Sequence, residues 1–169
     1  ALLIPGGSAV RTSAAGPALD LAALVVAGDT AAEAVGATVT SVGDLDGDGR
    51  PDLVIGAGRG GKPGVRIQDG RGGFEAREAP PFHKTTSRDL TSILPINGVL
   101  LAGISNYEDG LTNGGALRMY DLAGGRSGEI LVGTPFAVGP LAAADVDGDG
   151  SLEVFVGGRS VAGRYPEST

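Results

Sequence analysis

The chain has 169 residues, and 41% of them are hydrophobic, so it can form a packed core; aromatic residues contribute only 4%, so that core must be mainly aliphatic. The absence of cysteine excludes disulfides, thiolate nucleophiles and zinc–thiolate sites. The net charge of −7 argues against nucleic acid or an anionic membrane as a partner. Glycine accounts for 31 residues without a collagen-like period, which indicates many tight turns and an all-β protein.

The start of the chain carries no targeting or spanning signal. It begins with Ala1 and has no secretory leader, as expected of a mature or trimmed fragment. The uncharged apolar stretch at residues 21–28 is far shorter than the about 20 residues that span a bilayer. We therefore expect no membrane span.

Apolar runs that end in small residues recur along the chain at intervals of about fifty residues. They are ALLIPGG (1–7), DLVIGAG (52–58), GVLLAGIS (98–105) and EVFVGG (153–158). Further strand-like segments lie between them, at 36–44, 90–96, 115–122, 128–133 and 136–146, with a hairpin over 64–78 that turns at Asp69-Gly70. The repeating unit of about four short strands has the size of a propeller blade.

The repeat predicts a single β-propeller segment made of four-stranded antiparallel blades, with about three blades in this chain. The expected units are a partial blade (1–35), a blade with a calcium loop (36–83), a metal-free blade (84–134) and a partial blade with a calcium loop (135–169). Because closed propellers need about four to eight blades, either the chain is a fragment of a longer polypeptide or several copies complete the ring. The fragment is the favoured interpretation.

Two acidic loops, DLDGDGRPD (44–52) and DVDGDGSLE (145–153), have the composition of calcium sites. Calcium takes about six to eight oxygen ligands from carboxylates, carbonyls and water. Acids at positions 1, 3, 5 and 9 and a carbonyl at position 7 can supply them, and the glycines let the backbone curl. The predicted ligands of two Ca²⁺ ions are Asp44, Asp46, Asp48, the Arg50 carbonyl and Asp52 in the first loop, and Asp145, Asp147, Asp149, the Ser151 carbonyl and Glu153 in the second.

An EF-hand would require a glutamate at position 12 of each loop. Ile55 and Val156 occupy that position, and both belong to predicted strands, so the pattern indicates a metal loop inside a β-hairpin instead. A surface turn rich in Asp and Gly without any metal is the alternative. Two matching loops favour calcium, because four carboxylates within nine residues repel one another unless a cation neutralises them.

The run VGDLDGDGRPDLVIGAG (42–58) resembles the FG-GAP repeat of integrin α-subunit propellers and the related bacterial VCBS repeats. The run at 142–169 is similar to a stretch of bacterial FG-GAP/VCBS proteins that often carry an ASPIC/UnbV-type domain. The resemblance implies a β-propeller, usually extracellular, with calcium in loops between the first and second strands of a blade. The turn at Ile96-Asn97 departs from the pattern because it has no acids, so we expect no metal there.

Other candidate sites carry weaker signals. The only histidine, His83, lies in a Pro-rich segment typical of a connection between blades. The Gly-rich stretch 56–64 with Lys62 lacks the ending of a phosphate-binding loop, which favours a β-turn. Asn106, Glu108 and Asp109 are candidates for an irregular extra site, but a solvated loop is the favoured interpretation. Arg159, Arg164 and Tyr165 are candidates for a ligand-facing loop, with packing on the neighbouring blade as the favoured alternative.

We therefore expect a non-enzymatic, calcium-binding propeller segment of an extracellular, cell-surface or periplasmic adhesion or ligand-binding protein. Its partners would be a protein or glycan ligand bound by the propeller loops, and either the remaining blades of a longer chain or further copies of itself. Two alternatives stay open: a propeller domain of a polysaccharide-active enzyme, and a self-assembling extracellular structural protein.

Overall fold

A computed structural model describes residues 10–14, 21–25, 35–105, 117–131 and 134–161. Every regular element in these ranges is a β-strand. Among the described residues there is no helix that could cross a membrane. The strands are β1 (Val10–Ala14), β2 (Leu21–Val25), β3 (Val35–Gly43), β4 (Asp52–Ala57), β5 (Gly64–Gln68), β6 (Phe74–Arg77), β7 (Leu90–Ile96), β8 (Val99–Ile104), β9 (Leu117–Asp121), β10 (Arg126–Leu131), β11 (Phe136–Ala144) and β12 (Glu153–Val161).

The strands form four antiparallel sheets in which neighbours along the chain are neighbours in space. Sheet 1 is the pair β1–β2, and sheet 4 is the pair β11–β12. Sheet 2 (β3–β4–β5–β6) and sheet 3 (β7–β8–β9–β10) each have four strands. The predicted all-β class with four-stranded antiparallel units is confirmed. The run at 1–7 lies outside the described residues.

Short turns set the order of the strands. The β7–β8 hairpin turns through Asn97 and Gly98, whose φ angles of 45° and 78° are those of a two-residue turn that matches the twist of the strands. In the β5–β6 turn, Asp69 Oδ1 accepts hydrogen bonds from the amides of Arg71 and Gly73, both at 2.8 Å. Asp121 plays a related part after β9, accepting from the Gly124 amide at 2.7 Å.

Sheets 2, 3 and 4 pack on one another in chain order. β3 and β4 lie against β7, and β7 and β8 lie against β11. The core between sheets 2 and 3 is aliphatic, with one aromatic pair, Phe82 and Tyr120, whose ring centroids are 5.1 Å apart. Its buried members are Val54, Val65, Ile67, Phe82, Leu90, Ile93, Leu100, Ala102, Ile104 and Tyr120.

Hydroxyl groups of β7 connect sheet 3 to sheet 4. Thr91 Oγ1 donates to the Val138 carbonyl at 2.7 Å, and Ser92 Oγ donates to the Gly139 carbonyl at 2.8 Å. These bonds satisfy carbonyl groups of β11 where it crosses the face of sheet 3, so the packing of these two sheets has a polar component as well as an apolar one.

Candidate metal centre

The two acidic loops occupy equivalent places in the fold. The first joins β3 to β4 and the second joins β11 to β12, so each connects the first strand of a sheet to the second. The first-position aspartates follow directly on Gly43 and Ala144, the last residues of the incoming strands. Position nine of each loop, Asp52 or Glu153, is the first residue of the outgoing strand.

The first aspartate of the first loop folds the backbone around its own carboxylate. Asp44 Oδ1 accepts hydrogen bonds from the Gly47 amide at 2.6 Å and the Asp48 amide at 3.0 Å, and Oδ2 accepts from the Gly49 amide at 2.7 Å. Gly47 and Gly49 have φ angles of 85° and 83°, in the left-handed region that glycine enters without steric cost. The D-x-D-G-D-G order therefore specifies the curl of the loop.

The second loop repeats this hydrogen-bond pattern. Asp145 Oδ1 accepts from the Gly148 amide at 2.7 Å and the Asp149 amide at 3.1 Å, and Oδ2 accepts from the Gly150 amide at 2.9 Å. Two segments far apart in the sequence thus form the same local structure, which is the behaviour expected of a structural repeat.

The curl brings carboxylates together in both loops. One carboxylate oxygen from each of Asp44, Asp46 and Asp48 lies within 4.8 Å of the others, and the same holds for Asp145, Asp147 and Glu153. All six residues are exposed. Ligands on opposite sides of one calcium ion lie about 5 Å apart, twice the calcium–oxygen distance, so each cluster fits the coordination shell of that ion. The donor set consists of hard oxygen atoms, which calcium prefers.

The two loops use their ninth residue differently. Asp52 has no solvent exposure, and its carboxylate accepts the Leu45 amide at 2.8 Å and the Gln68 amide at 2.9 Å. It lies outside the group of three clustered acids. Glu153 accepts the equivalent Val146 amide at 2.9 Å and also joins its cluster, because a glutamate side chain is one methylene longer.

The fifth and seventh residues also interact within each loop. Asp48 Oδ1 accepts the Arg50 amide at 2.8 Å, and Asp149 Oδ1 accepts the Ser151 amide at 2.7 Å. Asp149 lies outside the clustered group of the second loop. The predicted role of the Arg50 and Ser151 carbonyls as ligands stays a prediction.

Cationic side chains surround the first loop. The Arg50 guanidinium forms an ion pair with Asp48 and donates hydrogen bonds from Nε and Nη2 to the Gln68 carbonyl, both at 3.3 Å. Arg77 Nη1 lies 3.4 Å from Asp46 Oδ2. These groups line a depression of about 400 Å³ between the loop and the β5–β6 hairpin. In the described part of the chain, the carboxylates of the second loop form no ion pair with a basic side chain.

The backbone of the first loop is arranged to hold negative charge. The hydrogen bond from the Gly49 amide, with smaller contributions from those of Gly47 and Asp48, holds the pKa of Asp44 below its ordinary value although desolvation opposes the change. Amide groups that converge on a carboxylate stabilise its charged form. Asp44 is therefore ionised over the whole neutral range.

Residues 36–73 match the family model described as FG-GAP repeat. The matched segment begins at the second residue of β3 and includes the whole first acidic loop, β4, β5 and the β5–β6 turn; it ends directly before β6. This match confirms the resemblance of the run at 42–58 to the FG-GAP repeat. The resemblance drawn for residues 142–169 stays a prediction. No curated protein and no solved structure matches the chain.

The other candidate residues lie apart from the two loops. His83 is exposed in the connection from β6 to β7, as predicted, and Lys62 in the Gly-rich stretch pairs with Glu78 at 2.6 Å. That stretch forms a turn in which Gly60 has a φ of 81°. Arg159 is an exposed residue of β12. Residues 106–110, Arg164 and Tyr165 lie outside the described residues.

Proposed function

We propose that this chain is a non-catalytic, calcium-stabilised segment of an FG-GAP-type β-propeller, belonging to an extracellular adhesion or ligand-binding protein. The observation that carries the proposal is the duplicated loop: two segments share one hydrogen-bond pattern and each gathers three carboxylate oxygens within 4.8 Å. The match of residues 36–73 to the FG-GAP repeat supports it, because such repeats often bind Ca²⁺.

The clustered acids would hold the ion, with Asp44, Asp46 and Asp48 in one loop and Asp145, Asp147 and Glu153 in the other. A bound calcium ion supplies charge neutralisation and a rigid oxygen-coordinated junction. The first aspartate of each loop holds the backbone curl, and the ninth residue ties the loop to the outgoing strand. An ion held by the folded loop and not by the unfolded chain contributes its binding free energy to stability.

A clamp of this kind suits a scaffold that presents loops to a partner. The loops joining the first and second strands are fixed in shape, which leaves the other connections free to vary in sequence without loss of the sheets. We infer that the partners are a protein or glycan ligand together with the remaining blades of the propeller. The net charge of −7 is consistent with such a role and opposes binding to polyanions.

Native mass spectrometry in calcium tests the assignment of the two sites. We expect two ions on the wild type, and one ion on Asp46→Asn and on Asp147→Asn, since each variant removes a member of one cluster. Asp121→Asn is the matched control: it removes the same charge from a turn aspartate that accepts a backbone amide and belongs to neither cluster. Two ions on either loop variant would contradict the ligand assignment.

Thermal unfolding tests the stabilising role separately. Calcium should raise the melting temperature of the wild type relative to chelator, and each loop variant should lose part of that increase. Identical melting curves with calcium and with chelator would refute the stabilising role of calcium, even if ions are found bound.

A further inference from the structure

The chain itself supplies positive charge to the first acidic loop. Among the three clustered acids, Asp44 is bound by backbone amides. Asp48 forms an ion pair with Arg50 of the same loop. Asp46 forms one with Arg77 of β6. The mutual repulsion of the carboxylates is therefore partly relieved by two guanidinium groups, and a calcium ion that enters this loop meets cations that are already beside it.

The Arg50 guanidinium is held in place by groups other than the acids. Its Nε and Nη2 both donate to the Gln68 carbonyl at 3.3 Å, and a Cβ placed on Gly70 would lie 3.3 Å from Arg50 Cζ. The guanidinium thus lies flat over the backbone of the β5–β6 turn. Because a guanidinium has five donor hydrogens, Arg50 can keep the Gln68 carbonyl whatever Asp48 binds. It is a fixed positive charge of this site.

The Arg77 guanidinium is held less firmly. Its Nη1 lies 3.4 Å from Asp46 Oδ2, a longer distance than the about 2.7–2.9 Å of a strong charged hydrogen bond, and the side chain is 51% exposed. Glu75 is two residues earlier in β6, so it lies on the same face of the strand and beside the same depression. Arg77 can therefore leave Asp46 for water or for Glu75 at small cost.

Asp46 cannot serve calcium and Arg77 equally well. Its carboxylate contributes one of the three clustered oxygens, and calcium ligands lie about 2.3–2.6 Å from the ion. A guanidinium that stayed on the same carboxylate would hold its positive charge within about 6 Å of a doubly charged ion, and these charges repel. Calcium binding therefore favours the state in which Arg77 has left Asp46.

We propose that Arg77 lowers the calcium affinity of the first loop by competing with the ion for Asp46, while Arg50 stays on the Gln68 carbonyl. The inference rests on the proposed function, because it requires that this loop holds calcium. Arg77 belongs to β6 and not to the loop, so the third and fourth strands of sheet 2 help to set the affinity of a site between its first and second strands. Whatever strengthens the Arg77–Asp46 pair weakens calcium binding by the same free energy.

Isothermal titration calorimetry with calcium chloride tests this competition in the Asp147→Asn background, in which the first loop keeps its cluster and the second does not. Arg77→Gln should bind calcium about three- to tenfold more tightly than the background protein, because it removes both the competing partner of Asp46 and a positive charge near the ion. Arg77→Lys keeps the charge and should recover most of the lower affinity.

Arg71→Gln is the matched control in the same background. Arg71 lies in the β5–β6 turn and lines the same depression, but no ion pair in the described part of the chain joins it to a clustered acid. It removes the same charge and should change the calcium affinity less than about twofold, since solvent and salt screen a charge that has no direct contact. An effect equal to that of Arg77→Gln would overturn the proposal, because net charge alone would then set the affinity.

The opposite background tests whether the effect belongs to the first loop. In Asp46→Asn the second loop is the intact site, and adding Arg77→Gln should leave its calcium affinity within about twofold. A gain in this background, or an unchanged affinity of Arg77→Gln in the Asp147→Asn background, would overturn the competition while leaving the calcium clamp intact. A first loop that binds no calcium in the Asp147→Asn background would refute the clamp at that loop together with this inference, so the two failures are distinguishable.

Discussion

Replacing Asp52 by alanine should destabilise the chain even when calcium is absent. The carboxylate is fully buried and accepts two backbone amides, Leu45 in the acidic loop and Gln68 at the end of β5. It therefore ties the loop to two neighbouring strands. Alanine leaves both amides without their charged acceptor.

The magnitude follows from these two bonds. A hydrogen bond to a charged group contributes about 1.5–3 kcal/mol, and relief from burying the charge offsets part of the loss, so we expect a net cost of about 2–4 kcal/mol. For a chain of this length, that corresponds to a fall in the melting temperature of about 5–15 °C. Asp52→Asn keeps one oxygen acceptor and should lie between alanine and the wild type.

Urea denaturation in chelator measures the free energy of unfolding without any contribution from bound metal. Glu153→Ala is the matched control: it removes the ninth residue of the second loop, but Glu153 is exposed, so the loss should be about 1 kcal/mol or less. If Asp52→Ala lay within about 0.5 kcal/mol of the wild type in chelator, the inferred tie between loop and sheet would be refuted.

Two further changes test the sheet packing and the core. Gly103→Ala should lower the free energy of unfolding by about 1–3 kcal/mol, because the added Cβ would lie 2.6 Å from Ser92 Oγ and from Val138 Cγ1. Gly128→Ala is the control, since a Cβ there would lie in open space, and its free energy of unfolding in the same urea titration should stay within about 0.5 kcal/mol of the wild type. Burial raises the pKa of Tyr120 above its ordinary value of 10.0, although Arg118 opposes the change, so the folded state holds this proton more tightly than the unfolded state. The stability that this group contributes is present below pH 10.0 and is lost as the pH rises through the raised pKa. Tyr120→Phe should therefore lose less free energy of unfolding at alkaline pH than the wild type. Parallel slopes for the two proteins would contradict this.

Much of the fold follows from local sequence pattern. Strand β7 was predicted at 90–96 and is Leu90–Ile96, and the hairpin predicted over 64–78 is the β5–β6 pair. Strand β5 alternates buried and partly exposed residues, and both segments border turns whose residues adopt special backbone angles, such as Asn97-Gly98. Local propensity and turn chemistry agree there, and the strand positions follow from them.

The acidic loops were predictable because their structure is local. Asp44 and Asp145 bind amides three to five residues ahead, so the sequence of nine residues contains both the acceptors and the donors. Contacts that depend on sheet pairing were missed. Arg77 approaches Asp46 across 31 residues only because β6 returns beside β5, and Arg50 binds the Gln68 carbonyl for the same reason. The clustering of basic residues beside the loop was a visible signal, but the sequence does not specify which acid each one meets.

Phe82 illustrates a different limit. It belongs to the Pro-rich segment predicted as an exposed connection, and its neighbour His83 is exposed, yet Phe82 is 3% exposed and packs against Tyr120. A single aromatic residue between two prolines and His83 has no period that could assign it to a face. Its burial depends on sheet 3 passing beneath the connection, which is a property of the packing and not of the segment.

The two loops differ in what surrounds them, and this difference connects the site to the packing. Asp52 and Arg50 fasten the first loop to a complete four-stranded sheet, and a third strand supplies the Gln68 amide and carbonyl that they bind. The second loop has Ser151 and the exposed Glu153 at those positions, and β12 pairs with β11 alone among the described strands. A loop held only by its own hydrogen bonds gains more order from a bound cation than one already fastened to its sheet. Calcium should therefore stabilise the β11–β12 hairpin more than it stabilises sheet 2.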